Sequence, residues 1–227
     1  MNIILAPHID DAVFSCWHAL KAGEAQVYNI FAGIPSNGTA TLWDRLCGVA
    51  DSRQMMQRRR RENDHIFKDL DVTSRYLDFL DNQYRHDSLK PQAIAETVLK
   101  LSPENASFLA PLAGSIIMRH RDHILVREAA LLLIAQGYKV AFYPDIPYMY
   151  LPPDSQSARL DALNKRMSEL LGMHLQLKIH PFDSQQIRSK AHAMKAYNSQ
   201  WSMTNLTSLG CLKIMSKRNY EITLVPA

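Results

Sequence analysis

The opening stretch of the chain constrains its fold more than any other feature. The apolar run Asn2–Ala6 leads directly into Pro7, His8 and the adjacent carboxylates Asp10 and Asp11. A short run rich in branched apolar residues is typical of a buried strand. In open α/β sheets, ligands and catalytic groups lie at the carboxyl ends of the strands. The sequence therefore predicts that the first strand carries one imidazole and two carboxylates to such an edge.

Strand-like and helix-like segments alternate along the rest of the chain. Further strands are predicted at Gln26–Ala32, Arg75–Leu80, Ser107–Pro111 and Tyr138–Tyr143, with a late edge strand at Glu221–Val225. Helices are predicted at Asp11–Ala22, Asp51–Leu70, Pro91–Leu101, Ile124–Gln136, Ser157–Leu171 and Gln185–Gln200, and a loop over one rim of the sheet at Ile34–Asp51. This alternation predicts the α/β class, with a single-domain, Rossmann-like, mostly parallel sheet and helices on both faces. One domain is expected to cover residues 1–227.

The composition is that of an ordinary globular domain, with 47% hydrophobic and 21% charged residues in a chain of 227. The sequence lacks the run of about 18 apolar residues that a membrane span needs, and its start does not have the pattern of a secretory signal. The three cysteines, Cys16, Cys47 and Cys211, have no CxxC spacing, which favours neither a disulfide framework nor a cysteine metal site. We therefore expect a cytoplasmic protein.

A second polar cluster, His120-Arg121-Asp122-His123, follows the fourth predicted strand. Zinc accepts imidazole nitrogen and carboxylate oxygen in tetrahedral sites, and catalytic sites keep one position for water. His8 and Asp11 lie three residues apart where a strand turns into a helix, so both can face one centre. His123 completes a facial set if the first and fourth strands are neighbours. The two clusters thus predict a Zn²⁺ site, although another divalent metal also suits these ligands.

The remaining groups of the two clusters are suited to acid–base chemistry. Asp10 is free to take a proton from a metal-bound water and to return it to a leaving amine. His120 is a candidate for stabilising the oxyanion of a tetrahedral intermediate, with Asp122 as the partner that orients an imidazole. A purely structural interpretation competes with these roles, because paired Asp residues often cap helices and an HxxH pattern alone is weakly specific.

The run Arg58-Arg59-Arg60-Arg61 concentrates much of the net charge of +4. Such a run suits a nucleic-acid patch, but acidic residues follow at once and no aromatic residues are interleaved for base stacking. A solvated helix face with one or two arginines turned toward a ligand is the favoured interpretation. A dinucleotide site is disfavoured, because no GxGxxG loop follows the first strand.

At these residues the chain resembles the PIG-L/LmbE-like N-acetylglucosaminyl deacetylase family. The family signature has Ala-His-Pro-Asp-Asp-Glu after the first strand and His-Pro-Asp-His further on. The corresponding segments here are Ala6-Pro7-His8-Ile9-Asp10-Asp11-Ala12 and His120-Arg121-Asp122-His123. Shorter matches extend the resemblance across most of the chain, at Trp43-Asp44-Arg45, Arg59 to Glu62, Phe79-Leu80-Asp81, Tyr84-Arg85, Pro144-Asp145-Ile146-Pro147-Tyr148 and Lys190 to Gln200.

The resemblance implies a zinc-dependent N-deacetylase. Three residues are implied as its zinc ligands: His8, Asp11 and His123. Asp10 is implied as the general base and then acid, and His120, assisted by Asp122, as the group that stabilises the oxyanion.

The resemblance also bears on the substrate. Arg59 and Asp81 match positions that contact sugar hydroxyls in relatives. The chain departs from the signature at Ile9, Ala12 and Arg121. None of these three is an implied ligand or proton carrier, so the departures concern the substrate rather than the reaction.

The predicted function is that of a zinc-dependent amide hydrolase acting on an N-acylated amino sugar or related small molecule, with metal-bound water as nucleophile and Asp10 as general base. The expected partner is a small-molecule N-acylated amino sugar or glycoside. Neither nucleic acid nor a membrane is expected as a partner. The sequence leaves open whether the protein forms a homo-oligomer. Two alternatives remain. One is a metal-independent nucleotide- or nucleic-acid-binding protein on the same fold, and the other is a related ester hydrolase.

Overall fold

A seven-stranded sheet forms the centre of the computed structural model. The structure describes residues 1–23, 25–36, 40–86, 88–114, 119–149, 151–152, 155–207 and 210–227, with the backbone alone for residues 202, 204–207 and 211–212. The strands are β1 (Asn2–Ala6), β2 (Ala25–Asn29), β3 (Thr73–Tyr76), β4 (Ser107–Pro111), β5 (Lys139–Tyr143), β6 (Leu175–Pro181) and β7 (Tyr220–Pro226).

The order of the strands across the sheet is β3-β2-β1-β4-β5-β7-β6. The pairs from β3 to β5 are parallel, whereas β7 runs antiparallel to both β5 and β6. The predicted α/β class with a mostly parallel, Rossmann-like sheet is therefore confirmed.

Helices connect the strands and pack around the sheet. They are α1 (Asp11–Ser15), α2 (Trp17–Lys21), α3 (Leu42–Leu46), α4 (Ser52–Leu70), α5 (Pro91–Leu101), α6 (Arg121–Ala135), α7 (Ala158–Leu171), α8 (Ser184–Ala196), α9 (Asn198–Thr207) and α10 (Cys211–Met215). One group contains α5 and α6, which pack on each other, and a second contains α1, α4, α8 and α9. Within the described ranges, we find no helix with both the length and the apolar character that crossing a bilayer requires.

The central position of β1 explains its unbroken apolar sequence. The residues Ile3–Ala6 are buried, and Ile4 lies between Val27 of β2 and Leu109 of β4. A strand that is covered on both faces needs apolar side chains at successive positions rather than at alternate ones. Because β1 and β4 are parallel neighbours, the segments that follow them meet at one edge of the sheet. The candidate site lies at this edge.

The predicted helix Asp11–Ala22 is wrong as a single element. The structure breaks it at Cys16, whose backbone dihedrals are φ −128° and ψ 31°. The N–H groups of Trp17 and His18 donate to the Glu221 carboxylate, at 3.1 and 2.9 Å. A side chain from the far end of the chain thus supplies the hydrogen bonds that start a second helix.

Other boundaries also differ from the prediction. The predicted late edge strand is wrong in its position, because β7 lies inside the sheet between β5 and β6. The edge is β6, which the prediction left out. The predicted loop Ile34–Asp51 contains α3, which Thr41 caps by accepting from the Asp44 N–H. The predicted helix Gln185–Gln200 is two helices, α8 and α9, that meet at Tyr197.

Candidate metal centre

Three donor atoms meet where β1 ends and α6 begins. His8 lies two residues beyond β1, Asp11 is the first residue of α1, and His123 lies in the first turn of α6. Nδ1 of His8 lies 3.4 Å from Oδ2 of Asp11 and 3.3 Å from Nε2 of His123. The same oxygen of Asp11 lies 3.3 Å from Nε2 of His123. These atoms form a nearly equilateral triangle, which we term the donor triangle.

The size and chemistry of the donor triangle fit a divalent cation. Metal–ligand distances of about 2.0–2.2 Å in a tetrahedral site separate neighbouring donor atoms by about 3.4 Å. Imidazole nitrogen and carboxylate oxygen are ligands for zinc and for several other divalent metals. The residues that supply these donors are buried. The donor triangle would therefore hold one cation at the end of β1.

A carboxylate orients each imidazole through its other ring nitrogen. Nε2 of His8 lies 3.3 Å from Oδ2 of Asp122, and Nδ1 of His123 lies 3.0 Å from Oδ2 of Asp145. Histidines that bind metals commonly donate their second N–H to a carboxylate, which fixes the tautomer and the ring orientation. With these tautomers, the lone pairs of the other two ring nitrogens face the donor triangle.

Asp122 is itself held by three contacts. Its carboxylate accepts from the Asn82 N–H at 2.9 Å and from the Arg85 guanidinium at 2.6 Å, in addition to its contact with His8. Burial opposes the charge, but these hydrogen bonds and the charges on His8 and Arg85 lower the pKa of Asp122 to about 2. The carboxylate thus orients His8, and it is the backbone N–H of Asp122 that reaches His120, at 3.3 Å.

The carboxylates around the donor triangle favour a positive charge there. Burial lowers the pKa of His8, but hydrogen bonds to Asp11 and Asp122 and the charge of Asp81 outweigh it and hold the pKa well above its usual value. Burial likewise opposes the charge of Asp11, yet His123 and His8 lower the pKa of this carboxyl. A proton on His8 supplies the positive charge in the metal-free protein, and a bound cation would take its place.

Two other sets of donor atoms also surround His8. The ring nitrogens of His8, His120 and His123 lie within 4.8 Å of one another, and so do donor atoms of His8, Asp81 and Asp122. In the set with Asp81 and Asp122, Nε2 of His8 lies 3.7 Å from Oδ2 of Asp81, which is farther than any pair within the donor triangle. In addition, Nδ1 of His120 accepts a hydrogen bond from the backbone of α6. The donor triangle is therefore the set best suited to a cation.

A cavity of about 350 Å³ opens onto the donor triangle, and Asp10 forms part of its wall. Burial and the negative charge of Asp11 raise the pKa of Asp10, although the charges of Arg59 and His8 act in the opposite direction. A carboxyl group with a raised pKa is a stronger base once it is ionised. Asp10 is therefore suited to exchanging protons with a molecule in the cavity.

His120 lines the same cavity and precedes α6 as its N-cap residue. Burial and the positive charges on His8 and His123 lower the pKa of His120 to about 4. Its ring is therefore neutral near pH 7. Because Nδ1 accepts from the Asp122 N–H, the ring proton resides on Nε2, which leaves one N–H donor for a ligand.

Arg59 is the member of the arginine run that faces the cavity. Its guanidinium lies 3.7 Å from Oδ2 of Asp81 and donates to Oε1 of Gln200. The indole N–H of Trp43 donates to the same oxygen of Gln200 at 3.1 Å. Since all four residues line the cavity, they form a polar wall beside the donor triangle.

The neighbouring arginines face other surroundings. Arg58 pairs with Glu62 one helical turn away. Arg60 donates to the carbonyl of Ala32 and covers the ring of Tyr76, at 4.8 Å from the ring centroid. Of these three arginines, Arg59 alone lines the cavity.

The sequence-based hypothesis did not assign a role to Asp145, Arg85 or Tyr148. Asp145 follows β5 as His8 follows β1, so a search for polar residues at strand ends would have found it. Arg85 comes from the loop after β3, and its contact with Asp122 depends on how that loop folds. The ring of Tyr148 packs 4.8 Å from His123 and 5.5 Å from His120, just beyond the cis peptide between Ile146 and Pro147.

The fold and the donor triangle together define a class of protein: a Rossmann-like α/β protein with a His/Asp centre at the carboxyl edge of its sheet. The model of the PIG-L family, described as GlcNAc-PI de-N-acetylase, matches residues 3–134, which is more than half of the chain. The chain belongs to this family, as its resemblance in sequence predicted.

The chain is 26% identical over 184 residues to the 2′-N-acetylparomamine deacetylase of Niallia circulans. That alignment covers 64% of this chain and 66% of the relative, slightly less than two thirds of its length. The fold matches the zinc-inhibited form of teicoplanin deacetylase Orf2 with a TM-score of 0.69, at 20% identity over 100% of this chain and 98% of the other. It also matches the N,N′-diacetylchitobiose deacetylase from Pyrococcus horikoshii with a TM-score of 0.61, at 15% identity over 99% and 83% of the two chains.

Proposed function

We propose that this protein is a metal-dependent hydrolase that removes an acetyl or other acyl group from the nitrogen of an amino sugar or a related small molecule. The observation that carries the proposal is the donor triangle, whose atoms are 3.3–3.4 Å apart beside a cavity of about 350 Å³. Membership of the PIG-L family and the likeness to deacetylases support the same reaction.

His8, Asp11 and His123 would hold the cation, which we propose to be Zn²⁺ or another divalent metal. When bound, such an ion acts as a Lewis acid that activates water and polarises the amide carbonyl. The chain fixes the ligands through Asp122 and Asp145, so that the donor atoms need little rearrangement when the metal enters.

Asp10 is the proposed general base and acid. It lines the cavity, and burial beside Asp11 raises its pKa. In the ionised form, its carboxylate removes a proton from the attacking water. As the C–N bond breaks, it gives that proton to the nitrogen, so that a neutral amine leaves. A positioned carboxylate in this role typically contributes a factor of about 10²–10⁴ to the rate.

His120 is proposed to stabilise the negative charge that develops on the carbonyl oxygen. Because the pKa of His120 is lowered to about 4, a neutral ring that donates from Nε2 is the form expected near pH 7. A hydrogen bond aimed at the developing charge strengthens as the amide becomes tetrahedral.

The polar wall of the cavity is proposed to bind the sugar. Arg59 offers N–H donors, Asp81 offers carboxylate acceptors, and Trp43 offers an aromatic ring. Gln200 holds Arg59 and Trp43 in place by accepting from both. These groups are complementary to hydroxyls and to the apolar face of a sugar ring. The volume of about 350 Å³ is near the lower end of the range for ligand pockets, about 300–1,000 Å³. It therefore suits one sugar unit rather than a whole oligosaccharide.

The deciding experiment combines metal analysis with a panel of N-acylated amino sugars, in which the released amine is measured. We expect about one divalent ion per chain and amine release from at least one member of the panel. His8→Ala should lose both the metal and the activity, whereas His65→Ala, at an exposed position of α4, should keep both. Full activity in a folded protein without metal would contradict the proposal.

A further inference from the structure

A second cavity, of about 500 Å³, lies at the opposite edge of the sheet from the donor triangle. Its floor is one face of the sheet near the amino ends of β1, β4 and β5. Alternate residues of a strand share a face, and the parallel register therefore arranges the floor in two rows. Asn2, Ser107 and Lys139 are paired across the three strands and form the outer row.

Ile4, Leu109 and Ala141 are paired in the same way and form the inner row, so the floor is polar at the rim and apolar inside. The alternation Ser107-x-Leu109 and Lys139-x-Ala141 in the sequence produces this division. A ligand that covers both rows must itself have a polar end and an apolar end.

The side walls come from α2 and from the antiparallel strands β6 and β7. The ring of His18 stacks on that of His180, with centroids 3.8 Å apart and planes 13° from parallel. Each ring is fixed by a further contact, since Nδ1 of His18 lies 2.8 Å from Glu221 and Nε2 of His180 lies 2.9 Å from Thr223. The stack joins α2 to β6 and gives the cavity a preformed wall.

The charge of this cavity is positive. Lys139 on β5 and Lys178 on β6 are exposed at its rim. Among the lining residues that the structure describes, none is acidic. The two lysines therefore make the rim complementary to an anionic group.

We propose that this cavity binds a small anionic amphiphile, with its carboxylate or phosphate at the rim that carries Lys139 and Lys178 and its apolar part on Leu109 and Ala141 of the inner row. The volume of about 500 Å³ is within the range for sites of small molecules. The cavity shares no lining residue with the one beside the donor triangle, so the two sites do not overlap.

The test is isothermal titration calorimetry of the metal-loaded protein with decanoate, below the concentration at which it forms micelles. We expect saturable binding of decanoate and no binding of decyltrimethylammonium, which has the same chain and a positive head group. The double variant Lys139→Met/Lys178→Met should weaken decanoate binding about tenfold. The matched control Lys68→Met/Lys100→Met, at exposed lysines elsewhere, should leave it unchanged.

Two more variants locate the bound decanoate. Ala141→Phe fills the inner row and should abolish binding, while His8→Ala disrupts the donor triangle and should not affect it. Circular dichroism verifies that each variant is folded. If Ala141→Phe does not fold, the proposal is judged from the lysine variants. The proposal is overturned by any of three results: no saturable binding, equal binding of both head groups, or binding that survives the lysine variant but is lost in His8→Ala.

Discussion

Asp10 and Asp11 are neighbours in the chain, yet their surroundings move their pKa values in opposite directions. Burial and the charge of Asp11 raise the pKa of Asp10, whereas contacts with His123 and His8 lower the pKa of Asp11 against the effect of burial. Two carboxyl groups whose pKa values are pushed apart commonly divide the roles of proton carrier and charged ligand. The difference in surroundings follows from the strand-to-helix turn, which places Asp11 in the donor triangle and Asp10 in the wall of the cavity.

Asp10→Asn tests the proton-transfer role directly. Turnover on an N-acetylated substrate should fall by at least about 100-fold, because an amide side chain cannot accept the proton from water. The metal content should stay near that of the wild type, since Asp10 is not part of the donor triangle. Asp69→Asn, at an exposed carboxylate, is the control and should be fully active. Unchanged turnover in Asp10→Asn would remove this residue from the mechanism.

A substitution at Asp145 tests the orientation of His123 without removing His123 itself. Its carboxylate is fully engaged, with one oxygen 3.0 Å from Nδ1 of His123 and the other accepting from the Ala113 N–H at 2.8 Å. Loss of such a partner typically reduces metal affinity about 10–100-fold. We expect that range for Asp145→Asn in a competition assay with a chelator. The exposed Asp161→Asn should bind metal normally, and equal affinities in the two variants would show that Asp145 does not support the ligand.

The residues of the candidate site were predictable to different degrees. His8, Asp10 and Asp11 could be selected because they directly follow a recognisable strand, and His123 because it follows another strand of the same sheet. The partner of Asp122 could not be selected in this way. Whether its carboxylate faces His8 or His120 depends on the orientation of the first turn of α6, which a short polar motif does not specify.

At the scale of the elements, a buried network connects β7 with α2 and α8. The carboxylate of Glu221 accepts from two backbone N–H groups at the start of α2, from the His18 ring and from Nζ of Lys190 on α8. Burial disfavours the charge of Glu221, but Lys190 and His18 lower its pKa to about 2. Both members of the Lys190–Glu221 pair are almost completely buried, so neither charge has water as an alternative partner.

Glu221→Gln should therefore destabilise the protein substantially. Breaking a buried ion pair leaves an uncompensated charge and typically costs about 3–5 kcal/mol. We expect a loss of that size in the free energy of unfolding at pH 7, measured with urea. Glu169→Gln on the exposed face of α7 should change it by less than about 0.5 kcal/mol.

The pH dependence of this loss follows from the direction in which folding changes the pKa of Glu221. Because the pKa of Glu221 is lower in the folded state, its contribution is complete above the unfolded pKa of about 4.5 and disappears as the pH falls toward 2. The difference between wild type and Glu221→Gln should thus be constant from pH 5 to 7 and shrink below pH 4.5. A difference that grows in acid would contradict this account.

Some helices and strands could be predicted from the sequence, and others could not. Pro91–Leu101 and Ser107–Pro111 were predicted with the bounds that the structure has, because local patterns of apolar residues define them. The break in the helix at Cys16 was not predicted, because it depends on Glu221, which is about 200 residues away in the chain. β6 was omitted although Leu175, Leu177 and Ile179 alternate with polar residues, a pattern that favours a strand.

For the molecule as a whole, the donor triangle joins segments that are far apart in sequence. His8 and Asp11 follow β1, His123 lies on α6, and Asp145, which orients His123, follows β5. A cation bound there would connect three parts of the sheet. A ligand that binds the folded state alone stabilises that state by mass action, so metal binding should be measurable as a change in global stability even without a substrate.

A Zn²⁺ concentration of 100 times the Kd should stabilise the protein by about 2.7 kcal/mol. For a chain of this length, 1 kcal/mol raises Tm by about 2–4 °C, so we expect a rise of about 5–11 °C, measured by calorimetry. A chelator should reverse it. His123→Ala should abolish the rise, and His65→Ala, whose side chain is mostly exposed, should retain it.

The pH dependence of the metal effect distinguishes a site at the donor triangle from weak binding at the surface. The pKa of His8 is held well above its usual value in the metal-free protein, where hydrogen bonds to Asp11 and Asp122 outweigh burial. A metal must displace that proton, so the affinity should fall as the pH is lowered and more His8 is protonated. At a fixed metal concentration, the rise in Tm should therefore be larger at pH 8 than at pH 6. An equal rise at both values would mean that the ion binds without His8, and the donor triangle would then not be the metal site.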